Sequence, residues 1–281
     1  MSSDDDGGET MTSALPPHTL SVAIITRDEE ENLSRTLTSV QFANEVIVLD
    51  TGSTDRTVEI ARAAGATVYE EEWQGFAASK NSAIAKCTST WVLSLDADEE
   101  LSPELQLQIK RLLPSSPRAD AYYLRRRNLF LGRWIKRGGF YPDAKLRLFR
   151  RTAASFTSQP RFENRPVHEI IAFDGRADTL DFDLIHHAYP TLEVYIEHMD
   201  RYSSLGSSLL VESGKISRSW PAFICRVFLV PQLGFVWNYV FRGGFMDGRE
   251  GLLLHFYHAT YTSWKYAKAW DAARRNPVAS S

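Results

Sequence analysis

The chain has 281 residues, 43% hydrophobic and 24% charged, and a formal net charge of −3. That balance excludes a disordered or fibrous chain and suits a globular protein with one large core, or a main domain with an appendage. Its two cysteines, Cys87 and Cys225, exclude a disulfide framework and a cysteine zinc site, and fit a reducing compartment.

The opening stretch, residues 1–18, is polar and acidic with no apolar run. It reads as a disordered tail and lacks the pattern of a signal or transit peptide. From there strand-like and helix-like runs alternate. "LSVAIIT" (Leu20–Thr26) is apolar and β-branched, as expected of a strand buried on both faces. "NLSRTLTSV" (Asn32–Val40) places Leu33, Leu37 and Val40 on one helical face. "EVIVLD" (Glu45–Asp50) is a second buried strand, closed by the turn-rich "TGSTD". Thr57–Ala64 reads as a short helix, "ATVYE" as a third strand, Gly75–Cys87 as a helix, and "TWVLSLD" as a fourth strand. Such alternation predicts βαβ units and a parallel sheet, with ligands at the carboxyl ends of the strands. Those ends carry Thr26–Arg27, Asp50–Thr51 and Asp96–Ala97–Asp98.

Ser102–Pro103 is a good helix start, and Glu104–Leu113 reads as the helix it opens. Charge then changes sign along the chain. Residues 1–117 carry a net −12 (8 basic, 20 acidic) and residues 118–165 a net +10 (13 basic, 3 acidic). Residues 166–200 return to −7 (1 basic, 8 acidic), and residues 201–281 to +6 (10 basic, 4 acidic). An acidic half beside a basic block suggests one site for a cation and another for an anionic partner. The basic stretch alternates short strand-like pieces with glycine turns, and residues 190–214 form a long amphipathic helix. The last sixty or so residues hold the most apolar segment, "WPAFICRVFLVPQLGFVWNYVFRGGF".

Four acids fall within Asp96–Glu100. Asp96 and Asp98, one residue apart at a strand end, can turn toward one point and hold a hard divalent cation together with a substrate phosphate. The structural alternative is that Asp98 or Glu99 caps the helix opening at Pro103. Glu99 and Glu100 read as helix-start and surface charges, with Glu99 able to support the metal ligands. Asp50 ends another strand of the same sheet and can face the same crevice. Asp55 reads as a turn and capping residue. Lys80 interrupts an apolar stripe of Phe76, Ala83, Ile84 and Cys87, so it either snorkels or meets an anion, a phosphate or Asp98.

These blocks, "SVAIITRDEEENLSRTLTSV", "EVIVLDTGSTDRTVEIARAAGATVYEEEW", "FAASKNSAIAKCTSTWVLSLDADEEL" and the later "RLFRR…VHE", resemble glycosyltransferase family 2. More narrowly, over about residues 20–270, the chain is similar to the lipopolysaccharide-core β-1,4-glucosyltransferase subgroup. The resemblance implies a GT-A fold, a Rossmann-like α/β/α sandwich on a mostly parallel sheet. It divides the chain into a tail (1–18), a catalytic domain (19–190) and a helical, membrane-associating C-terminal region (191–281). Within the domain, residues 19–117 would bind the nucleotide sugar and 118–190 the acceptor. It implies Mg²⁺ or Mn²⁺ on Asp98 and Asp96, with His186 as a further ligand to metal or diphosphate. Thr26, Arg27, Glu29 and Asp50 match positions lining the nucleotide pocket, and Lys80 a basic position near the phosphates. The broad family often reads D-D-G-S-T-D where this chain has Thr51, so its base contact is either lost or carried by Asp50.

Inverting members use one carboxylate to take the acceptor's proton while metal offsets charge on the leaving diphosphate. Glu169 in "RPVHEI" occupies the place of that base and Asp143 in "FYPDAKLRLF" is the alternative; a purely structural Glu169 would pair with Arg165. His168 ranks below the carboxylates. The basic, aromatic block around Trp134, Phe140 and Tyr141 suits a phosphorylated glycolipid better than nucleic acid, for which no motif is present. Val227–Phe241 is uncharged but shorter than a bilayer span. Flanked by Arg218, Arg226, Arg242 and Arg249, it reads as part of a monotopic helix pair on the cytoplasmic face of the membrane, the alternative being a buried core helix or an oligomer contact. The implied partners are a UDP-sugar and a glycolipid. The alternatives are a polyprenyl-phosphate or protein acceptor, or a non-catalytic sugar-nucleotide-binding scaffold.

Overall fold

The computed structural model describes residues 19–115, 117–152, 158–164, 169–217 and 219–275. The tail and three residues weighed above, Arg165, His168 and Arg218, lie outside them. The expected alternation is present: β1 (Leu20–Thr26), α1 (Leu33–Ser39), β2 (Glu45–Asp50), α2 (Thr57–Ala63), β3 (Thr67–Glu70), α3 (Phe76–Ala85) and β4 (Trp91–Asp96). Then follow β5 (Glu99–Leu101), α4 (Pro103–Leu112), β6 (Ala121–Phe130), β7 (Arg133–Trp134), β8 (Asp143–Arg150), β9 (Arg161–Asn164), β10 (Glu169–Ala172), β11 (Ala177–Tyr189) and α5 (Leu192–Glu212).

The main sheet runs β3-β2-β1-β4-β8-β6-β11-β5, with β7 paired to β6. The β3-β2-β1-β4 half is parallel, as the short helical crossovers demand. Beyond β4 the sheet is mixed, because β8 and β5 enter antiparallel while β11 lies parallel to β6. This is a GT-A-like mixed sheet covered by helices. The thirteen-residue β11 has no clear signature in the sequence, since its buried positions alternate irregularly with acids.

Both sheet faces are packed. One buries Val22, Ile24, Trp91, Leu93 and Leu95 against α1 and α4. The other buries Ile25, Leu49, Val92 and Phe149 against Ala77, Ala83 and Ile84 of α3. Such double burial is why β1 and β4 read as continuous apolar runs. In register, Thr26 lies opposite Asp50, and Ile25 opposite Asp96, so three strand ends meet at one edge.

After β11 the chain is helical. α5 packs on the helix Gly248–Arg275 through a third core of Phe130, Ile135, Tyr195, Met199 and Leu254. A 22-residue helix, Trp220–Phe241, precedes it. Pro231 sits inside this helix, and a widened turn at Cys225–Leu229 accommodates the missing donor. The helix is longer than the uncharged window Val227–Phe241, because helical geometry continues through Arg226 back to Trp220. By length and composition alone it suffices to cross a bilayer.

Candidate active site

The β1 and β2 ends form the first wall. The Asp50 carboxylate accepts from the Gly52 and Ser53 amides at 3.0 and 2.9 Å and from the Ser53 hydroxyl. Gly52 is at φ +99°, which closes this turn without strain. Thr51 is buried, and its hydroxyl donates to the Thr26 carbonyl at 3.1 Å, so it ties two strand ends together. Thr26 is also buried, and its own hydroxyl has no partner. Asp55 performs the expected structural role by accepting from the Glu30 and Thr57 amides at 3.1 and 2.9 Å. Arg27 reaches into solvent, with its guanidinium 3.8 Å from Asp28. Burial outweighs a hydrogen bond from Asn32 at Glu29, and with Asp98, Asp55 and Asp96 nearby pushes its carboxyl up to about 7.

At the β4 end the acids are divided differently from the expectation. Asp96 pairs with Lys80 at 2.7 Å and with Arg147 at 2.6 Å. Burial would raise its carboxyl, but the Arg147 guanidinium and Lys80 ammonium hold it well below the usual carboxylate range. Lys80 is only 2% exposed, so it does not snorkel. Its partners are Asp96 and Glu169, the latter at 2.5 Å, rather than Asp98. Asp98 instead faces His186, with Oδ2 3.2 Å from Nε2.

Glu99 corrects the reading of it as a helix-start or surface charge. It is 0% exposed, on β5, directly opposite His186 of β11. Its Oε1 takes Arg147 at 2.7 Å and Arg126 at 3.3 Å, and its Oε2 accepts from the Asp96 amide at 3.0 Å. The helix start is capped by Ser102, whose hydroxyl accepts from Leu105, so neither Asp98 nor Glu99 is the cap. Glu100 is half-buried and pairs with His187 at 3.0 Å. The two-residue alternation of buried Ala97, Glu99 and Leu101 was the available sign that Glu99 points inward. Arg147 had no such sign. β6 pairs Tyr122 with Leu148 and Tyr123 with Leu146, so Arg147 is bulged out of the ladder and re-aimed at the acids.

Glu169 begins β10, which forms a two-stranded ribbon with β9 outside the main sheet. α3 holds this ribbon twice. Asn81 bonds both the amide and the carbonyl of Phe162, at 2.7 and 2.9 Å. Lys80 lies 5.2 Å from the Phe162 ring centre and reaches Glu169. Burial would raise the Glu169 carboxyl, but Lys80 overrides it and lowers it below its ordinary value. Asp143 is more tightly engaged. Arg126 donates to it twice and Lys145 lies at 3.2 Å, so despite burial its carboxyl falls to about 2.

His186 presents Nδ1 to the Asn128 side-chain oxygen Oδ1 at 2.7 Å, while Asn128 Nδ2 reaches Asp143 at 3.5 Å. With Nδ1 as that bond's donor, bare Nε2 and the Asp98 carboxylate are two acceptors facing one another. Such a pair requires a shared cation, either a proton or a metal. Among the described residues no three acidic, histidine or cysteine side chains converge as a metal cage. Two protein ligands are nevertheless enough for Mg²⁺-type sites completed by water and substrate phosphate. The donor set therefore fits a hard divalent ion at Asp98 and His186, whereas Asp96 is already neutralised by Lys80 and Arg147.

The sequence is similar to those of several known proteins. The sequence profile described as glycosyl transferase family 2 matches residues 21–170. An uncharacterized glycosyltransferase of Rickettsia typhi is 34% identical over 206 residues, spanning 70% of this chain and 69% of that protein. The lipopolysaccharide core biosynthesis glycosyltransferase LpsC of Rhizobium meliloti is 27% identical over 263 residues, 92% of this chain and 94% of its own. Among solved structures, S. aureus TarS 1-349 in complex with UDP aligns over 92% of this chain and 91% of that one, at 14% identity and a TM-score of 0.43. With more than half its length matched to that profile, and with these relatives, the chain belongs to glycosyltransferase family 2 and is a glycosyltransferase.

Proposed function

We propose that this glycosyltransferase moves a hexose, glucose from UDP-glucose, onto a lipopolysaccharide-core or related surface glycolipid, with inversion and with Mg²⁺ or Mn²⁺ bound. The full-length similarity to a lipopolysaccharide-core enzyme supports the acceptor class. The reading places the protein at the inner face of the cytoplasmic membrane, where such an acceptor is held by its lipid. The observation that carries the chemistry is the Lys80 ammonium, which bridges the strand-end carboxylate Asp96 and the carboxylate Glu169.

Thr26, Arg27, Glu29 and Asp50 line the nucleotide side, and the unpartnered Thr26 hydroxyl is free to bond the donor. Asp98 and His186 would hold the metal, which when bound would supply a Lewis acid to offset charge on the departing diphosphate. Lys80 and Arg147 are the protein's own cations beside that diphosphate. As the acceptor hydroxyl attacks the anomeric carbon, its proton passes to Glu169. The bond from that carbon to the diphosphate breaks, and its electron pair leaves with the diphosphate. In the donor-free state Lys80 suppresses the basicity of Glu169, and a diphosphate competing for Lys80 would restore it. Asp143, held near 2 by burial against Arg126 and Lys145, is the poorer base.

The test is transfer of label from UDP-glucose with Mn²⁺, using truncated lipopolysaccharide and polyprenyl phosphate as competing acceptors. The expected result is labelled lipopolysaccharide with wild type and about a hundredfold less with Asp98→Asn at unchanged melting temperature. Undiminished turnover by that variant, or label on polyprenyl phosphate alone, overturns the reading.

A further inference from the structure

The Trp220–Phe241 helix carries an apolar face that no other part of the described residues covers. Only 11% of its most apolar window is buried, and Trp220, Leu233 and Phe241 are 72%, 68% and 71% exposed. Phe245 and Met246 extend the face past the helix end. So many exposed large apolar side chains gathered on one segment of a folded chain mark an interaction site.

The charges around it select the partner. Arg137 and Arg242 are both exposed and, among the described residues, neither has a carboxylate partner. They converge at the helix end. The Arg242 guanidinium lies 2.2 Å from where a Gly139 Cβ would be, and the Arg137 stem 4.0 Å from the corresponding point at Gly243. The only acid between residues 213 and 249 is Asp247. It is buried and turned away, accepting from the Lys136 and Arg137 amides at 3.1 and 2.8 Å.

The helix is also held parallel to the body of the protein. Phe223 meets Trp270 at 5.0 Å near one end, and Tyr239 meets His255 at 6.0 Å near the other. One flank is thus bound to the Gly248–Arg275 helix along its length, and that helix is packed on α5. Crossing a bilayer would drag Lys265, Lys268 and Asp271 with it, a large desolvation cost.

We propose that the Trp220–Phe241 face, with Phe245, Met246, Arg137 and Arg242, docks flat on an anionic bilayer, rings in the acyl boundary and guanidinium groups on lipid phosphates. The segment 133–142 is built into this surface. Besides the Asp247 bonds, the Gly138 amide donates to the Arg242 carbonyl at 3.1 Å, and Phe140 packs on His255 and His258. Gly138, at φ +66°, leaves room for the His255 ring, which would collide with any Cβ. That segment ends beside Asp143 of β8, so docking fixes the strand leading into the site at headgroup level. The inference deepens the membrane side of the proposed function but does not depend on its chemistry, since vesicle binding and sugar transfer are read separately.

The experiment is sedimentation of the full chain with phosphatidylcholine vesicles, with and without phosphatidylglycerol. Binding should be at least about tenfold tighter to the anionic vesicles and weaken with salt. Arg137→Ala and Arg242→Ala should each cost about fivefold on anionic vesicles only, whereas Leu233→Ser should weaken binding to both. Amide exchange should slow on anionic vesicles in 220–246 and also in 132–141. Asp247→Ala should keep the helix protection and lose that of the 132–141 segment. Equal affinity for both vesicles, no binding, self-association that covers the face, or unchanged exchange in 132–141 overturns the proposal.

Discussion

Lys80→Met removes the ammonium at the centre of the site while keeping most of its apolar stem. Lys80 is 2% exposed and bonded to two carboxylates, so the substitution breaks a buried ion pair, which typically costs about 3–5 kcal/mol. Two features reduce that here. The carboxylate side chains of Asp96 and Glu169 are 29% and 20% exposed and can recover water, and Asp96 retains Arg147. The expected loss at pH 7 is therefore about 2–3 kcal/mol. Its pH dependence follows from Glu169, whose folded carboxyl lies below its ordinary 4.5 because Lys80 outweighs burial. A depressed carboxyl contributes stability above its unfolded value and loses it as pH falls through the folded value. Without Lys80, burial and Asp96 raise Glu169, which then accepts a proton more readily on acidification and escapes the penalty. Asp96 stays ionised beside Arg147, so about half of the loss should persist at pH 4. Urea unfolding at both pH values measures this, with an unchanged m-value confirming the same transition. An equal loss at both pH values would refute the coupling of Lys80 to Glu169, and a loss below about 1 kcal/mol at pH 7 would refute the buried pair.

Glu169→Gln should abolish transfer while leaving UDP-glucose affinity, read by titration calorimetry, within about threefold. Asp143→Asn should mainly lower stability, by about 1–3 kcal/mol, since it releases Arg126 and Lys145; the reverse pattern would make Asp143 the base. Glu99→Gln leaves Arg147 and Arg126 short of a buried countercharge and should cost about 2–4 kcal/mol in urea unfolding. A neutral result would mean that Glu99 is dispensable to the network. Glu29 holds its proton more tightly folded than unfolded, so wild type loses stability as pH climbs from 4.5 toward 7 and remains lower above that. Glu29→Gln should therefore stabilise the metal-free protein by about 1–3 kcal/mol at pH 8 and by nothing measurable at pH 3.5, as thermal melts can check.

Much of the nucleotide half was determined by sequence alone. β1, β2 and β4 follow their apolar runs closely, because strands inside the sheet are buried on both faces, while α3 turns Ala83 and Ile84 inward as expected but leaves Phe76, expected on the same stripe, 50% exposed. Parallel strands linked by helices must bring their carboxyl ends to one edge, so Thr26, Asp50 and Asp96 could be grouped without coordinates. Which charge meets which could not be grouped that way. Glu169 is 89 residues from Lys80, and Arg147 enters the site only because a bulge removes it from the β6 ladder. Glu99 looked like a solvated acid until β11 was laid beside β5, a pairing that spans 87 residues between Glu99 and His186 and leaves no local trace. Local periodicity reports the faces that solvent and core impose on each segment. The partners of a buried ion depend on long-range closure of the sheet, where low dielectric makes each pairing costly to leave unmet, and only the tertiary structure decides them.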